Sequence, residues 1–438
     1  MNIYDQIKTM SDEMAGDLTA QRRDFHKYAE PGWFEMRTSS IIARKLTELG
    51  YEVLVGDQVC KKDSRMGVPS EEKLEEQYER AVAQGADPEF VKYTKGGMTG
   101  VIGILRCGEG PTVAMRFDID ALGVFEEHDP SHRPAKEGFN SVNEGFMHAC
   151  GHDGHVGTLL AAVHYINQHR DFAGRLVAIF QPGEEGFAGG RYMIEDGLVQ
   201  KFGIDEFYAL HAEPMLPVGC VGFIPGFATA NADIFKITFT GVGGHGSRPH
   251  LTKDPLVAAC ECVLSLQTIV SRSVDPNQTA VVSAGCISCG NEKGSSVVQK
   301  TATIVGTTRS FEKEVQDIII QRMQQIVDGT ALSNDMKGKL EYTKLYPAMF
   351  NSPEHVEKAK ALLGEALGQD KVKLMIRRAG GEDFSFMLQA KPGCLFRLGV
   401  QDETHNASVH NPEFDFNDKA IATGAACLLT IALNRAAS

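Results

Sequence analysis

Apolar residues recur at helical spacing over residues 4–29, where Pro31 and Gly32 end the run, and again over 39–49, ended by Gly50. The next apolar stretches are short and rich in β-branched residues, and they predict strands at 51–55, 100–105 and 112–118. Between the first two lies a charged, helix-prone insert over about 57–95, expected to be a surface elaboration. A loop at 126–147 then leads to a helix at 153–170, a strand at 176–180, a helix at 189–196 and a strand at 206–210. This alternation predicts an α/β domain whose largely parallel sheet is covered on both faces.

From Thr229 the texture changes. A strand of period two at 233–240 precedes a helix at 255–271, strands at 280–287 and 300–307, a helix at 311–328 and a strand at 340–345. The order β-α-β-β-α-β is that of a ferredoxin-like unit. Alternating α/β texture resumes after Asn351, so one domain, 1–228 plus 347–438, is expected to be interrupted by a second, 229–346.

Composition narrows the class. The 438 residues suit two or three domains, and 42% hydrophobic with 23% charged residues excludes disordered and collagen-like chains. The formal charge of −13 argues against nucleic acid as a partner. The N-terminal residues carry Asp and Glu where a signal peptide needs an apolar core, and no run approaches about 18 uninterrupted apolar residues. A cytoplasmic protein with no membrane partner is expected. Ten cysteines without a repeated spacing fit buried thiols in a reducing compartment.

Seven of the 14 histidines fall between His128 and His169, most densely in MetHisAlaCysGlyHisAspGlyHis, 147–155. Cys150 and His152, two apart at a loop-to-helix junction, offer sulfur and nitrogen donors suited to zinc or a similar divalent ion. Alone, the pair reads equally well as an ordinary helix start. GlnProGlyGluGluGly, 181–186, follows a buried strand, and strand ends are where ligands gather in open α/β sheets. Glu184 and Glu185 there could divide metal binding from proton handling, or simply form an acidic turn. Spacing does not decide which would be the ligand. His211 ends another strand, and His410 sits in SerValHisAsnProGluPheAspPhe. The spacing of CysIleSerCys, 286–289, suits a metal or redox pair, but no second pair accompanies it, and it reads as structural.

Together with ArgArgAspPheHis (22–26) and GlyGlyGluAspPhe (380–384), these motifs stand in an order that resembles the metal-dependent aminoacylase and carboxypeptidase (M20) superfamily, in its branch of amidohydrolases acting on N-acyl amino acids. SerArgMetGlyValPro (64–69), AspProSerHisArgPro (129–134) and HisAsnProGluPheAspPhe resemble a subgroup of two-subunit hydrolases of p-aminobenzoyl-glutamate. The resemblance implies a dinuclear-metal aminopeptidase-like catalytic domain with an inserted lid that also pairs subunits into a homodimer. It implies two divalent cations, zinc or manganese, held by Cys150, His152, Glu185, His211 and His410, with the thiolate bridging. Glu184 would be the general base, and Asp120, better placed than Asp118, would support the ligands. Asp153, His148 and His155 would brace the ligand helix. In GlyValGlyGlyHisGlySerArgPro (241–249), His245 would polarise the scissile carbonyl from the partner subunit, and Arg309 would hold the substrate carboxylate. One departure stands out: Ser296 and Gln299 occupy the places of the family's asparagine and proline.

The expected substrate is a small N-acyl amino acid with an aromatic acyl group and an acidic amino acid. The alternatives are a dipeptidase or carboxypeptidase of the same superfamily, an indole-3-acetyl-amino acid hydrolase, or a non-catalytic member of a two-subunit hydrolase.

Overall fold

The computed structural model describes residues 2–60, 65–170 and 172–436; Ser64, the first residue of one motif above, lies outside them. The chain divides into two compact units. One comprises 1–226, 350–376 and 386–438, and the other 227–349 and 377–385. The return of 377–385 to the second unit had no counterpart in the periodicity.

The larger unit is built on eight strands in the order Glu52–Val55, Val101–Cys107, Gly174–Gln181, Thr112–Asp118, Glu206–Pro217, Gly393–Gln401, Val221–Phe223 and Val372–Leu374. The expectation of a largely parallel sheet holds only for the middle four strands, which are mutually parallel. Val101–Cys107 runs antiparallel to both of its neighbours, and Val221–Phe223 runs antiparallel to Gly393–Gln401. Apolar runs mark strands without marking their direction, so flanking reversals leave no trace in the pattern. The core joins sheet residues such as Val113, Met115 and Phe396 to the helices His152–Gln168 and Ala420–Ala436.

The expected first helix is two helices, Ile3–Glu13 and Ala15–Lys27, broken at Met14. Apolar spacing continues across the break, while Gly16 weakens helical continuity there. The charged insert is more than a surface elaboration. Its helix Glu71–Ala83 buries Leu74 and Ala81 with Met36, Ala86 and Val91 in a small core of its own.

In the second unit, four strands lie in the order Ala280–Ser288, Thr301–Ser310, Ala232–Thr240, Lys337–Tyr346, all antiparallel. The helices Pro255–Arg272 and Lys313–Ser333 complete a β-α-β-β-α-β unit. Pro255–Arg272 is long and apolar enough by composition to cross a membrane, yet Ala258, Ala259, Cys262, Leu266 and Ile269 are buried in the core of this unit. Phe235, Phe239 and Met323 belong to the same core.

Candidate metal centre

Parallel pairing sets Asp118 beside Gln181 and His211 beside Arg397. Past Gln181 the chain turns through Pro182 and Gly183 into Glu184 and Glu185. Opposite, the helix His152–Gln168 starts from Gly151, whose φ of +84° suits a glycine and brings Cys150 and His152 to the helix start. Ligand atoms of Cys150, His152 and His211 lie within 4.8 Å of one another; so do those of Cys150, Glu185 and His410, and those of His152, Glu184 and Glu185. Shared members make these six side chains one cluster. Cys150 Sγ is 3.4 Å from His211 Nε2, and Glu185 Oε1 is 3.5 Å from His410 Nε2 and 3.8 Å from His152 Nε2.

Hydrogen bonds fix which histidine nitrogen faces the cluster. His152 Nδ1 lies 2.8 Å from the Asp120 carbonyl, and His211 Nδ1 lies 2.8 Å from the Ala212 carbonyl. A carbonyl only accepts, so each Nδ1 donates, and Nε2 is the ring nitrogen turned inward. His152 Nε2 and Glu185 Oε1 are buried without hydrogen-bond partners among the described residues. Buried polar atoms left in that state are costly, and these converge with a thiol and two further imidazoles. The donor set therefore fits divalent cations of the zinc or manganese kind.

Electrostatics point the same way. Burial pushes the Cys150 thiol well above its usual range, and Glu185, Glu184 and Asp118 push it further. Burial opposes charge on His152, but Asp118, Asp120 and Glu185 outweigh it and hold the ring up to about 10. Burial and then Arg397 push His211 well below the usual imidazole range, leaving it neutral. The pocket is rich in carboxylate, and a bound cation would reverse the penalty on the thiolate.

Behind the cluster stand bracing contacts. Asp120 Oδ2 accepts the Glu185 amide at 2.9 Å while its carbonyl takes His152, so one residue supports two candidate ligands. Asp118 lies 2.5 Å from His155 Nδ1 and 2.9 Å from Arg116 Nη1, and His155 Nε2 accepts the Ala212 amide. His155 thus faces Asp118 with its N–H. Asp153 meets Arg22 at 2.9 Å and His26 at 2.8 Å, which gives the ArgArgAspPheHis motif a structural place. His148 is buried with neither ring nitrogen hydrogen-bonded among the described residues. His410 adopts φ +64°, and its amide donates to the Ala149 carbonyl at 2.7 Å.

His245 and Arg309 belong to the second unit. His245 lies on a two-residue strand paired with Val297–Val298, is exposed, and accepts the Ser247 amide through Nδ1. Ser296 gives its carbonyl to the Gly246 amide. Arg309 is half-buried and donates to the Thr308 carbonyl and the Thr307 hydroxyl. Cys286 is exposed and joins no potential ligand cluster among the described residues. The sequence reading missed Glu35. It is buried and accepts the amide of Gly183, and its one signal is an acidic residue in the otherwise apolar stretch from Trp33 to Met36.

A mixed α/β sheet with histidine, cysteine and glutamate converging at its strand ends defines a metallohydrolase architecture. The chain belongs to peptidase family M20/M25/M40, which residues 114–434 match. It is 34% identical over 439 residues to one of the subunits of p-aminobenzoyl-glutamate hydrolase of Escherichia coli (strain K12), with 98% of each chain covered. It is 33% identical over 431 residues to indole-3-acetyl-aspartic acid hydrolase of Enterobacter agglomerans, with 96% of each covered. The crystal structure of Bacillus subtilis YXEP protein, described as a dinuclear metal binding peptidase from the M20 family, superposes with a TM-score of 0.74 at 25% identity, covering 97% of this chain and 99% of that one. This chain is accordingly a hydrolase.

Proposed function

We propose that the chain hydrolyses the amide bond of N-acyl amino acids with the help of two divalent cations, zinc or manganese, and favours an aromatic acyl group on an acidic amino acid, as in p-aminobenzoyl-glutamate. The observation that carries this reading is the cluster of Cys150, His152, Glu185, His211 and His410 with a second carboxylate, Glu184, beside it. The names of two relatives support the substrate class, since each joins an aryl-bearing acyl group to glutamate or aspartate.

When bound, the cations would polarise the scissile carbonyl and acidify water. Cys150, with sulfur in two of the three-residue sets, would be a ligand shared by both sets. Glu184 takes a proton from the attacking water and returns it to the leaving amine. Asp120 holds the Glu185 amide and orients His152 at once. In the second unit, His245 would polarise the carbonyl from the partner subunit of a homodimer, and Arg309 would hold the substrate carboxylate. One relative is named as a single subunit of its hydrolase, which leaves room for a second type of polypeptide in this protein too. The ten free thiols suit a reducing, cytoplasmic setting.

Parallel hydrolysis of p-aminobenzoyl-glutamate, indole-3-acetyl-aspartate and a dipeptide with a free α-amino group by manganese-loaded protein tests the reading. Turnover of the acylated substrates with little of the dipeptide is expected. Preference for the free dipeptide would instead make the chain a dipeptidase.

A further inference from the structure

We propose that Glu35 is a positioning residue for the Glu184–Glu185 pair, holding the peptide in front of it while Asp120 holds the peptide behind. This rests on the reading of that pair given above. The turn that carries the two glutamates leaves regular structure almost at every residue. Gly183 has φ +62°, Glu185 has ψ +73°, Gly186 has φ +89° and Ala188 has φ +54°. A backbone of this shape needs outside support to keep two adjacent carboxylates aimed at different tasks.

The support comes from two buried acids. Gly183 N–H donates to Glu35 Oε1 at 2.8 Å, and Glu185 N–H donates to Asp120 Oδ2 at 2.9 Å, so the amides on either side of Glu184 are both fixed. The other oxygen of Glu35 accepts the Thr99 hydroxyl at 2.6 Å, which sets the plane of the carboxylate. Glu35 is fully buried. Its place in the chain makes this arrangement informative. Glu35 is the N-cap of the helix Met36–Glu48, yet its side chain does not cap that helix. Glu30 takes over that role, accepting the amides of Arg37 and Thr38 at 3.1 and 2.8 Å. The Glu35 carboxylate is thus released to reach a turn far along the chain. Trp33, at φ +67°, sits in the same segment, with its ring 6.2 Å from that of Phe187 on the far side of the turn.

The contact needs an acceptor at a fixed reach and does not need a charge. An amide oxygen at the same position serves, and a carboxylate one methylene shorter does not. The test compares E35Q and E35D with wild type in the full chain, measuring the Mn²⁺ dissociation constant by competition with a chromophoric chelator and kcat and KM on p-aminobenzoyl-glutamate. E35Q should stay close to wild type in both. E35D should bind Mn²⁺ about 10- to 100-fold more weakly and lose kcat with KM little changed. Thr99→Val, which removes the hydroxyl that orients Glu35 and changes shape little, should move both readouts the same way by less, and it carries the test should E35D fail to fold. E35D, or T99V in its place, matching wild type, or E35Q falling as far as E35D, would overturn the inference alone. Wild-type protein that binds no Mn²⁺ would overturn the reading of the site and the inference with it.

Discussion

Two buried, heavily charged regions of the larger unit differ in how their charges are matched. In the network around Arg22, opposite charges already meet. Arg22 lies 2.9 Å from Asp153, 2.8 Å from Asp415 and 3.3 Å from Asp418, and His26 bridges Asp153 and Glu126 at 2.8 and 2.9 Å. In the cluster around Cys150, carboxylates, imidazoles and a thiol converge, yet His152 Nε2 and Glu185 Oε1 keep no hydrogen-bond partner among the described residues. The first region is matched by an arginine, whereas the second gathers groups that can ligate a metal. Buried charge by itself therefore marks neither stability nor chemistry, and the unmatched donor atoms locate the candidate metal centre. Asp153 connects the two, because it follows His152 directly and ends the Arg22 network at the start of the ligand helix.

The comparison can be broken at either end. Glu184→Gln removes the proposed proton carrier and leaves the five candidate ligands, so kcat should fall by about 10²- to 10⁴-fold while bound metal, read by elemental analysis, is unchanged. Full activity in this variant would remove Glu184 from the chemistry. Arg22→Met should act on the other region, leaving three carboxylates facing an apolar side chain. Breaking such a buried pair costs about 3 to 5 kcal/mol, which should appear as a lower midpoint in urea denaturation. An unchanged midpoint would mean the network does not brace the helix.

A smaller effect follows from His26. Burial disfavours its charge, but Asp153 and Glu126 outweigh this and raise the ring to about 9 from an ordinary value of 6.5. A folded-state value above the unfolded one gives stability that is complete below pH 6.5 and lost as pH rises through about 9. Glu126, held down to about 2 against burial by His132 and His26, remains ionised across that window. His26→Gln should therefore flatten the decline in melting temperature between pH 6.5 and 9, measured by thermal melts of both proteins; parallel curves would show that His26 does not titrate in this way.

The candidate ligands were legible only as an ordered set: Cys150 and His152 two apart, the glutamate pair after a buried strand and His211 at a strand end each read as structural alone, and their order along the chain carries the resemblance that implies the ligands. Strand positions were legible locally, and the predicted 112–118 is the observed Thr112–Asp118. What depended on pairing between distant segments was hidden. Strand direction at the sheet flanks and the return of 377–385 to the second unit leave no periodic signal. Glu35 is the clearest case. Its position falls between the helices expected at 4–29 and 39–49, and only the folded chain shows its carboxylate on the Gly183 amide.

The central claim is that the unmatched cluster is a two-cation site that drives amide hydrolysis. Mn²⁺ titrated into chelator-stripped protein, with p-aminobenzoyl-glutamate hydrolysis followed at each addition, tests it most directly. The account predicts no turnover without metal, full recovery at two equivalents per chain, and loss of tight binding in Cys150→Ala. Full turnover in the presence of excess chelator, or a Cys150→Ala variant that binds two equivalents as tightly as wild type, would contradict it.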